Sequence, residues 1–125
     1  MKHIKQFDAV VCGAGHAGVE AALILNRFKI STALITIDPL AIGRMSCNPA
    51  IGGLAKGQIV KEIDVLGGIM GKATDYSALQ YKILNKSKGK SVWSPRAQVD
   101  KRTYEGFINK TIKKAKYITV LPGEV

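Results

Sequence analysis

The segment Phe7-Asp8-Ala9-Val10-Val11-Cys12-Gly13-Ala14-Gly15-His16-Ala17-Gly18 decides the fold, because a short apolar run leads directly into a glycine-rich loop. The run up to Cys12 predicts a buried parallel strand, since it is apolar, rich in β-branched residues and ended by Gly13. Apolar residues at helical spacing follow from Val19 to Phe28, and residues 32–37 predict a second strand. The segment therefore opens a β-α-β unit, whose crossover is right-handed.

The loop inside this unit has the spacing G-x-G-x-x-G, formed by Gly13, Ala14, Gly15, His16, Ala17 and Gly18. A strand before it and a helix after it favour dinucleotide binding, and a plain glycine-rich turn is the competing interpretation. For binding, Gly13 allows the tight turn, Gly15 lets a pyrophosphate approach the backbone, and Gly18 lets helix and strand pack closely. The helix N-terminus then supplies N–H groups and partial positive charge to the phosphates.

The end of the second strand is where folds of this kind place an acidic residue that binds the ribose. Thr36 stands there, and Asp38 follows two positions later. We expect Thr36 to hydrogen-bond the adenosine ribose, less strongly than a carboxylate, and Asp38 to lie just past the useful position. His16, at the start of the helix, is interpreted as a capping or packing residue rather than as an acid or base.

The remainder of the chain alternates loops with helix and strand patterns. Residues 38–53 and 85–95 predict loops, the apolar stripe from Leu54 to Leu66 predicts a helix, Asp100 predicts the N-cap of another, and residues 78–84 and 117–121 predict strands. Three candidate parallel strands with two or three helices indicate an α/β fold, a partial Rossmann-like parallel sheet of the FAD/NAD(P)-binding type with flanking helices. Because such a small sheet buries little area, we expect it to be part of a larger unit.

Length and charge limit the class of protein. The 125 residues, 46% of them hydrophobic, indicate a single domain and exclude a disordered chain. No apolar run reaches the ~18 residues of a membrane span, and the N-terminus lacks a secretory pattern, so we expect a cytoplasmic protein that does not bind membranes. The net charge is +10, with +3 in residues 1–72 and +7 in residues 73–125. This excess suits a polyanionic partner such as nucleic acid, and a solvated basic surface is the competing interpretation.

The two cysteines, Cys12 and Cys47, exclude a disulfide scaffold, and without further ligands at suitable spacing we predict no metal site. Cys12 is predicted to be a core residue of the first strand. Cys47 lies in a turn-rich segment before a helix, where the helix N-terminus or Lys56 would favour the thiolate. Spacing alone supports a reactive and an inert Cys47 about equally. Gly52 and Gly53 would let backbone N–H groups converge on an oxygen or an anion.

The string Gly43-Arg44-Met45-Ser46-Cys47-Asn48-Pro49-Ala50-Ile51-Gly52-Gly53-Leu54-Ala55-Lys56-Gly57 resembles the signature of the MnmG (GidA) family. The resemblance extends to Leu66-Gly67-Gly68, Ile83-Leu84-Asn85-Lys86-Ser87-Lys88-Gly89 and Arg96-Ala97-Gln98-Val99-Asp100, and it runs from about Phe7 to the C-terminus. These motifs are long and contain rare combinations, so agreement by chance is remote. Val92-Trp93-Ser94-Pro95 departs from the family's usual residues, which leaves contacts there open.

The resemblance implies an FAD enzyme that acts on tRNA. With the GTPase MnmE, members of the family add an aminomethyl or carboxymethylaminomethyl group to C5 of the wobble uridine, with methylene-tetrahydrofolate and NADH as co-substrates. They form homodimers that associate with an MnmE-type GTPase. Residues 1–125 are then expected to be the incomplete N-terminal part of an FAD-binding domain, with a small β insertion, and to be inactive alone. The alternative is a non-catalytic basic module that binds FAD or RNA and keeps only the fold.

The resemblance also implies which residues bind the cofactor. Residues 13–18 match the loop that binds the FAD pyrophosphate. Val125 falls where backbone groups contact the adenine end of FAD. Asn48 and the pair Gly52-Gly53 are expected beside the isoalloxazine ring.

Catalysis and RNA binding are assigned by the same resemblance. Cys47 matches a cysteine implicated in catalysis, and addition of a thiolate to C6 of uracil makes C5 nucleophilic. Lys86, Lys88 and Arg96 are candidates for contacts with tRNA phosphates, with solvated side chains as the competing interpretation.

Overall fold

A computed structural model of the chain describes residues 5–46 and 48–125. In chain order, the strands and helices are β1 Ala9–Cys12, α1 His16–Arg27, β2 Thr32–Thr36, β3 Ala50–Gly52, α2 Lys56–Val65, α3 Met70–Ser77, β4 Ala78–Leu84, β5 Ser94–Val99, α4 Lys101–Lys114 and β6 Ile118–Pro122, with short 3-10 helices at Lys86–Lys88 and Lys90–Val92. They form two compact units. The first unit comprises the chain up to Gly43 together with Asn109–Val125, and the second unit comprises Arg44–Ile108.

The first unit contains the predicted parallel sheet, in the order β1-β2-β6. Its register places Val11 beside Leu34 and Leu34 beside Val120. Strand β2 is the central strand of this sheet, and its Leu34 side chain is fully buried. Helix α1 lies between β1 and β2 in the chain and buries Val19 and Ala22, which confirms the predicted β-α-β unit.

Strand β1 is less buried than the sequence predicts. Among the described residues it pairs only with β2, so it is an edge strand here. Alternate side chains of a strand point to opposite faces. Ala9 and Val11 are half-buried, whereas Val10 is 57% exposed and Cys12 is also exposed. The predicted core position of Cys12 is therefore wrong, because no described residue covers its face of the edge strand.

The second unit contains an antiparallel sheet in the order β3-β5-β4, which is the expected small β insertion. Strand β4 and helix α2 lie where the sequence predicts a strand and a helix. Strand β3 and the start of β5 fall in segments predicted to be loops. In β5, polar Ser94, Arg96 and Gln98 alternate with apolar residues, which is a strand signal. Pro95 and the preceding basic residues obscure that signal.

Helix α3 is missed by the sequence because three of its four buried residues are small or polar, and only Met70 is large and apolar. Ala73, Thr74 and Ser77 are buried. The hydroxyl groups of Thr74 and Ser77 donate to backbone carbonyls four residues earlier, at 2.6 and 2.7 Å. Helix α4 begins as predicted, since the carboxylate of Asp100 accepts a hydrogen bond from the Thr103 N–H at 2.7 Å.

The described part of the chain contains neither a membrane-spanning helix nor a cluster of metal-binding side chains. None of its helices is long and apolar enough to cross a membrane. The same residues contain no group of three or more His, Cys, Asp or Glu side chains that could hold a metal ion.

Candidate functional site

The glycine-rich loop begins at the carboxyl end of β1 and leads into α1. Gly13 has a φ of +92°, a left-handed conformation that glycine adopts without a steric penalty. Its N–H donates to the Ile35 carbonyl at 2.8 Å, and the Ala14 carbonyl accepts from the Gly43 N–H at 2.8 Å. Backbone hydrogen bonds therefore fix the loop both to β2 and to the segment that follows β2.

Two glycines of the loop are required for different reasons. A Cβ atom placed on Gly18 would lie 1.9 Å from the Gly13 carbonyl oxygen, so only glycine lets α1 approach the loop this closely. A Cβ atom placed on Gly15 would have no atom within 4 Å. The space beside the Gly15 backbone is the space that a pyrophosphate needs to reach the loop N–H groups.

The N-terminus of α1 is suited to an anion. Gly15 is the N-cap residue and provides no side-chain cap, and the first turn carries no acidic residue. The first N–H groups of a helix lack partners within the helix, and they lie at the positive end of its dipole. Within that turn, His16 is half-buried and Ala17 is exposed. The loop and the helix end together form a cradle for a phosphate group.

A cleft of about 300 Å³ lies at the carboxyl ends of the three parallel strands. It is lined by Cys12, Gly13, Ile35, Thr36, Ile37, Gly123, Glu124 and Val125. Open parallel sheets bind their ligands at this edge. The cleft brings together three residues that the sequence assigned to cofactor binding, Gly13, Thr36 and Val125, although Gly13 and Val125 lie near opposite ends of the chain.

Polar groups at this cleft come from the ends of β2 and β6. The Thr36 hydroxyl donates to the Asp38 carbonyl at 3.4 Å. The Asp38 carboxylate accepts from the Leu40 N–H at 2.8 Å, so it stabilises the turn after β2. Glu124 also lines the cleft, although its sequence context does not predict this position. It belongs to no motif, and only the pairing of β6 with β2 brings it to the site.

These features fit the adenosine diphosphate half of a dinucleotide. The space beside the Gly15 backbone is open, and the side chains of Ile35 and Ile37 provide apolar surface in the cleft. Thr36 and Glu124 supply a hydroxyl and a carboxylate that can hydrogen-bond ribose hydroxyl groups.

In the second unit, the Gly52-Gly53 pair holds β3 to the start of β5. The two residues have φ angles of +103° and +112°. A Cβ atom on Gly52 would lie 2.2 Å from the Pro95 carbonyl oxygen, and the Gly53 N–H donates to that same oxygen at 3.1 Å. The Ser94 hydroxyl donates to the Gly53 carbonyl. Packing of β3 against β5 is thus enough to explain why glycines occupy these two positions. The Gly53 N–H already donates to a protein acceptor.

Asn48, which precedes Gly52 by four residues, is exposed. Cys47, the predicted catalytic residue, lies outside the described residues.

A second cleft, which we call the polar cleft, has a volume of about 310 Å³ on one face of the antiparallel sheet. It is lined by Asn48, Pro49, Ala50, Gln80, Lys82, Leu84, Arg96 and Gln98. Arg96, a predicted RNA contact, is therefore at a concave site. Lys86 and Lys88 are exposed and do not line this cleft. Near them, the Trp93 indole N–H donates to the Lys86 carbonyl at 3.2 Å. This hydrogen bond closes the lysine-rich segment of residues 86–93, which we call the basic loop.

The opposite face of the same sheet packs on α2 and α3 around a cavity of about 180 Å³. There the Tyr81 hydroxyl donates to the Asp75 carboxylate at 2.7 Å. This hydrogen bond raises the pKa of Tyr81, with smaller contributions from burial and from the charge of Asp75. The phenol is thereby held in its protonated, donating form.

Comparisons with known proteins agree on one family. The family model described as Glucose inhibited division protein A matches residues 8–125. The tRNA uridine 5-carboxymethylaminomethyl modification enzyme MnmG of Ureaplasma parvum serovar 3 is 51% identical over 98% of this chain and 20% of its own length. The enzyme of the same name from Aquifex aeolicus is 50% identical over 98% of this chain and 20% of its own length. The chain thus spans about a fifth of the length of these relatives.

Solved structures give the same result. The structure of Aquifex aeolicus GidA in crystal form II matches 100% of this chain and 21% of that protein, with a TM-score of 0.91 and 49% identity. PqsL of Pseudomonas aeruginosa, a probable FAD-dependent monooxygenase, matches 94% of this chain and 33% of its own, with a TM-score of 0.53 and 12% identity. The second likeness shows the fold alone.

Proposed function

The chain belongs to the family described as glucose inhibited division protein A, and from this premise we propose that it forms the FAD-binding part of a flavoenzyme that modifies tRNA. The observation that carries the proposal is the cleft at the carboxyl ends of β1, β2 and β6, next to a glycine loop with open space at Gly15. The printed name of the relatives, tRNA uridine 5-carboxymethylaminomethyl modification enzyme, supports the class of substrate.

In this proposal, different residues of the chain bind different parts of the cofactor. The glycine loop and the N-terminus of α1 hold the pyrophosphate, and Thr36 and Val125 hold the adenosine end. Asn48, Gly52 and Gly53 lie beside the isoalloxazine ring. When bound, FAD carries the electrons and the one-carbon unit that the modification needs.

The proposed reaction adds an aminomethyl or carboxymethylaminomethyl group to C5 of the wobble uridine. Methylene-tetrahydrofolate and NADH are the co-substrates, an MnmE-type GTPase is the partner, the enzyme is a homodimer, and the compartment is the cytoplasm. Cys47 acts as the nucleophile or proton-transfer group at the uracil ring, since a thiolate at C6 makes C5 reactive. The positive charge of the chain suits the tRNA substrate.

Flavin titration of the 125-residue chain tests the cofactor proposal. We expect FAD to bind, ADP to displace it, and FMN to bind far more weakly, because the cleft accommodates the adenosine diphosphate half. Gly15→Ala should abolish FAD binding. Gly106→Ala is the matched control, because a Cβ atom at Gly106 also meets no atom within 4 Å but lies in α4, outside the cleft. Failure of the parent chain to bind FAD at micromolar concentration, or equal loss in both variants, would contradict the proposal.

The catalytic proposal needs a complete enzyme. A chimera that carries this chain in place of the matching fifth of the Aquifex aeolicus relative should modify tRNA, given the 50% identity. Cys47→Ala in that chimera should abolish modification while FAD remains bound. Modification by the Cys47→Ala chimera would remove Cys47 from the mechanism. RNA binding without modification by the parent chimera would favour the non-catalytic basic module instead.

A further inference from the structure

The polar cleft contains two pairs of side chains that the sheet register places directly opposite each other. Lys82 in β4 pairs with Arg96 in β5, and Gln80 pairs with Gln98. Residues opposite each other in an antiparallel sheet share one face. The lining of the cleft therefore includes two cations and two amides from the sheet, together with Asn48.

The two cations are not neutralised within the described chain. Neither the Lys82 ammonium nor the Arg96 guanidinium has a hydrogen bond or ion pair with another described residue. Like charges directly opposite each other on a sheet disfavour the fold. A phosphate group placed between them would relieve this repulsion, and a guanidinium can hold a phosphate with two parallel hydrogen bonds.

The neighbouring amides add a second kind of recognition. Glutamine and asparagine side chains each offer both donors and an acceptor, which is the complement of a nucleobase edge. Proteins that bind single-stranded RNA read unstacked bases through such hydrogen bonds while cations contact the phosphates. The volume of about 310 Å³ is within the range of small-molecule sites.

We propose that the polar cleft binds one nucleotide of single-stranded RNA, with its phosphate between Lys82 and Arg96 and its base edge against Gln80 and Gln98. This inference rests on the proposed function, because it names the part of the chain that a tRNA substrate contacts. It differs from a contact by the exposed basic loop, since Lys86 and Lys88 do not line the cleft. A solvated charge cluster would show no preference for a nucleotide over inorganic phosphate.

The test compares three probes: uridine 5′-monophosphate, uridine and inorganic phosphate, each titrated by NMR. All titrations use a Gly15→Ala background, in which the dinucleotide cleft is blocked. We expect Lys82→Gln and Arg96→Gln each to weaken the nucleotide about tenfold, the loss typical of a hydrogen bond to a charged group. Lys110→Gln, the matched control, removes the same charge from an exposed residue of α4 outside the cleft and should change the affinity by less than about twofold. Gln98→Ala should weaken the nucleotide and uridine alike and leave phosphate unchanged.

Equal effects of Lys110→Gln and Lys82→Gln would overturn the proposal in favour of a diffuse charge effect. Equal affinity for phosphate and the nucleotide, together with no effect of Gln98→Ala, would overturn it in favour of a simple anion site. Lys82 is exposed, so Lys82→Gln decides the outcome if Arg96→Gln does not fold. An FAD titration of the same substitutions without Gly15→Ala separates the two proposals. Failure of the Gly15→Ala chain to bind the nucleotide, with FAD bound by the parent chain, contradicts only the polar-cleft proposal, whereas failure of the parent chain to bind FAD contradicts the proposed function.

Discussion

Substitution of two glycines in the same loop should have opposite consequences for stability and for binding. In Gly18→Ala, the new Cβ atom would lie 1.9 Å from the Gly13 carbonyl oxygen, 1.1 Å inside the 3.0 Å below which such contacts are essentially never found. The helix or the loop must therefore move by about 1 Å, in line with the overpacking expected when volume is added to a closely packed site. In Gly15→Ala, the Cβ atom meets nothing within 4 Å.

The expected magnitudes follow from these contacts. Overpacking costs about 1–3 kcal/mol, and the better helix propensity of alanine offsets about 0.5–1 kcal/mol of it. The net loss of about 1–2 kcal/mol should lower the Tm of Gly18→Ala by about 5–10 °C for a chain of this size. Gly15 is extended, with φ −72° and ψ −170°, a conformation that alanine tolerates. Alanine is a poorer N-cap residue than glycine, which destabilises the folded chain, but it also makes the unfolded chain less flexible, which stabilises the folded one. Because the two effects nearly cancel, the Tm of Gly15→Ala should change by less than about 3 °C.

Thermal unfolding followed by circular dichroism, combined with the FAD titration, checks both halves of this prediction. Gly18→Ala should unfold at lower temperature, and Gly15→Ala should unfold like the parent chain but fail to bind FAD. A Tm for Gly15→Ala as low as that of Gly18→Ala would refute the assignment of open space beside Gly15. An unchanged Tm for Gly18→Ala would refute the close packing of α1 on the loop.

Three further predictions concern other parts of the chain. Gly52→Ala should lower the free energy of unfolding by about 2 kcal/mol or more, because a left-handed φ and a backbone clash coincide there. Gly106→Ala, at an exposed position in α4, should raise the free energy of unfolding by about 0.5–1 kcal/mol. Denaturant titrations that rank the two variants in the reverse order would contradict this prediction. Hydrogen bonds from Thr103 lower the pKa of Asp100 in the folded chain. The stability that this cap contributes is therefore complete above the ordinary carboxyl pKa. It is lost as the pH falls through the pKa of Asp100 in the folded chain, below about pH 4. Asp100→Asn keeps the cap and should remove that part of the acid sensitivity in Tm measurements from pH 2 to pH 7, and an unaltered pH profile would count against the cap. In a Cys47→Ser chain, iodoacetamide should alkylate the exposed Cys12 readily and saturating FAD should slow the reaction, because Cys12 lines the cleft; a rate independent of FAD would argue that FAD binds elsewhere.

The parts of the fold that were predictable from sequence depend on local spacing. The glycine loop, the apolar run before it and the helical stripe after it all lie within a few tens of residues of one another. Their geometry follows from backbone conformations that only glycine adopts and from hydrophobic periodicity. The Asp100 cap was predictable for the same reason, since it joins residues three positions apart.

The parts that were missed depend on partners distant in the sequence. Strand β5 has a usable alternation, yet it becomes a central strand only because β3 and β4 pair with its two edges. Cys12 was predicted to be buried but is exposed, and this error also depends on distant partners. An apolar run does not indicate whether a strand lies at the centre or at the edge of its sheet. The reason for Gly52 is also tertiary, because the clash that it avoids is with Pro95.

The sequence by itself determined the β-α-β unit, the glycine loop and the identity of the residues that could hold a pyrophosphate, because these are fixed by neighbours along the chain. Only the tertiary structure decided that Gly13, Thr36 and Val125 share one cleft and that Lys82 faces Arg96 across another. The physical reason is that strand pairing sets the position of side chains from distant segments to within a few ångströms, and no local pattern encodes which strands pair or in which register.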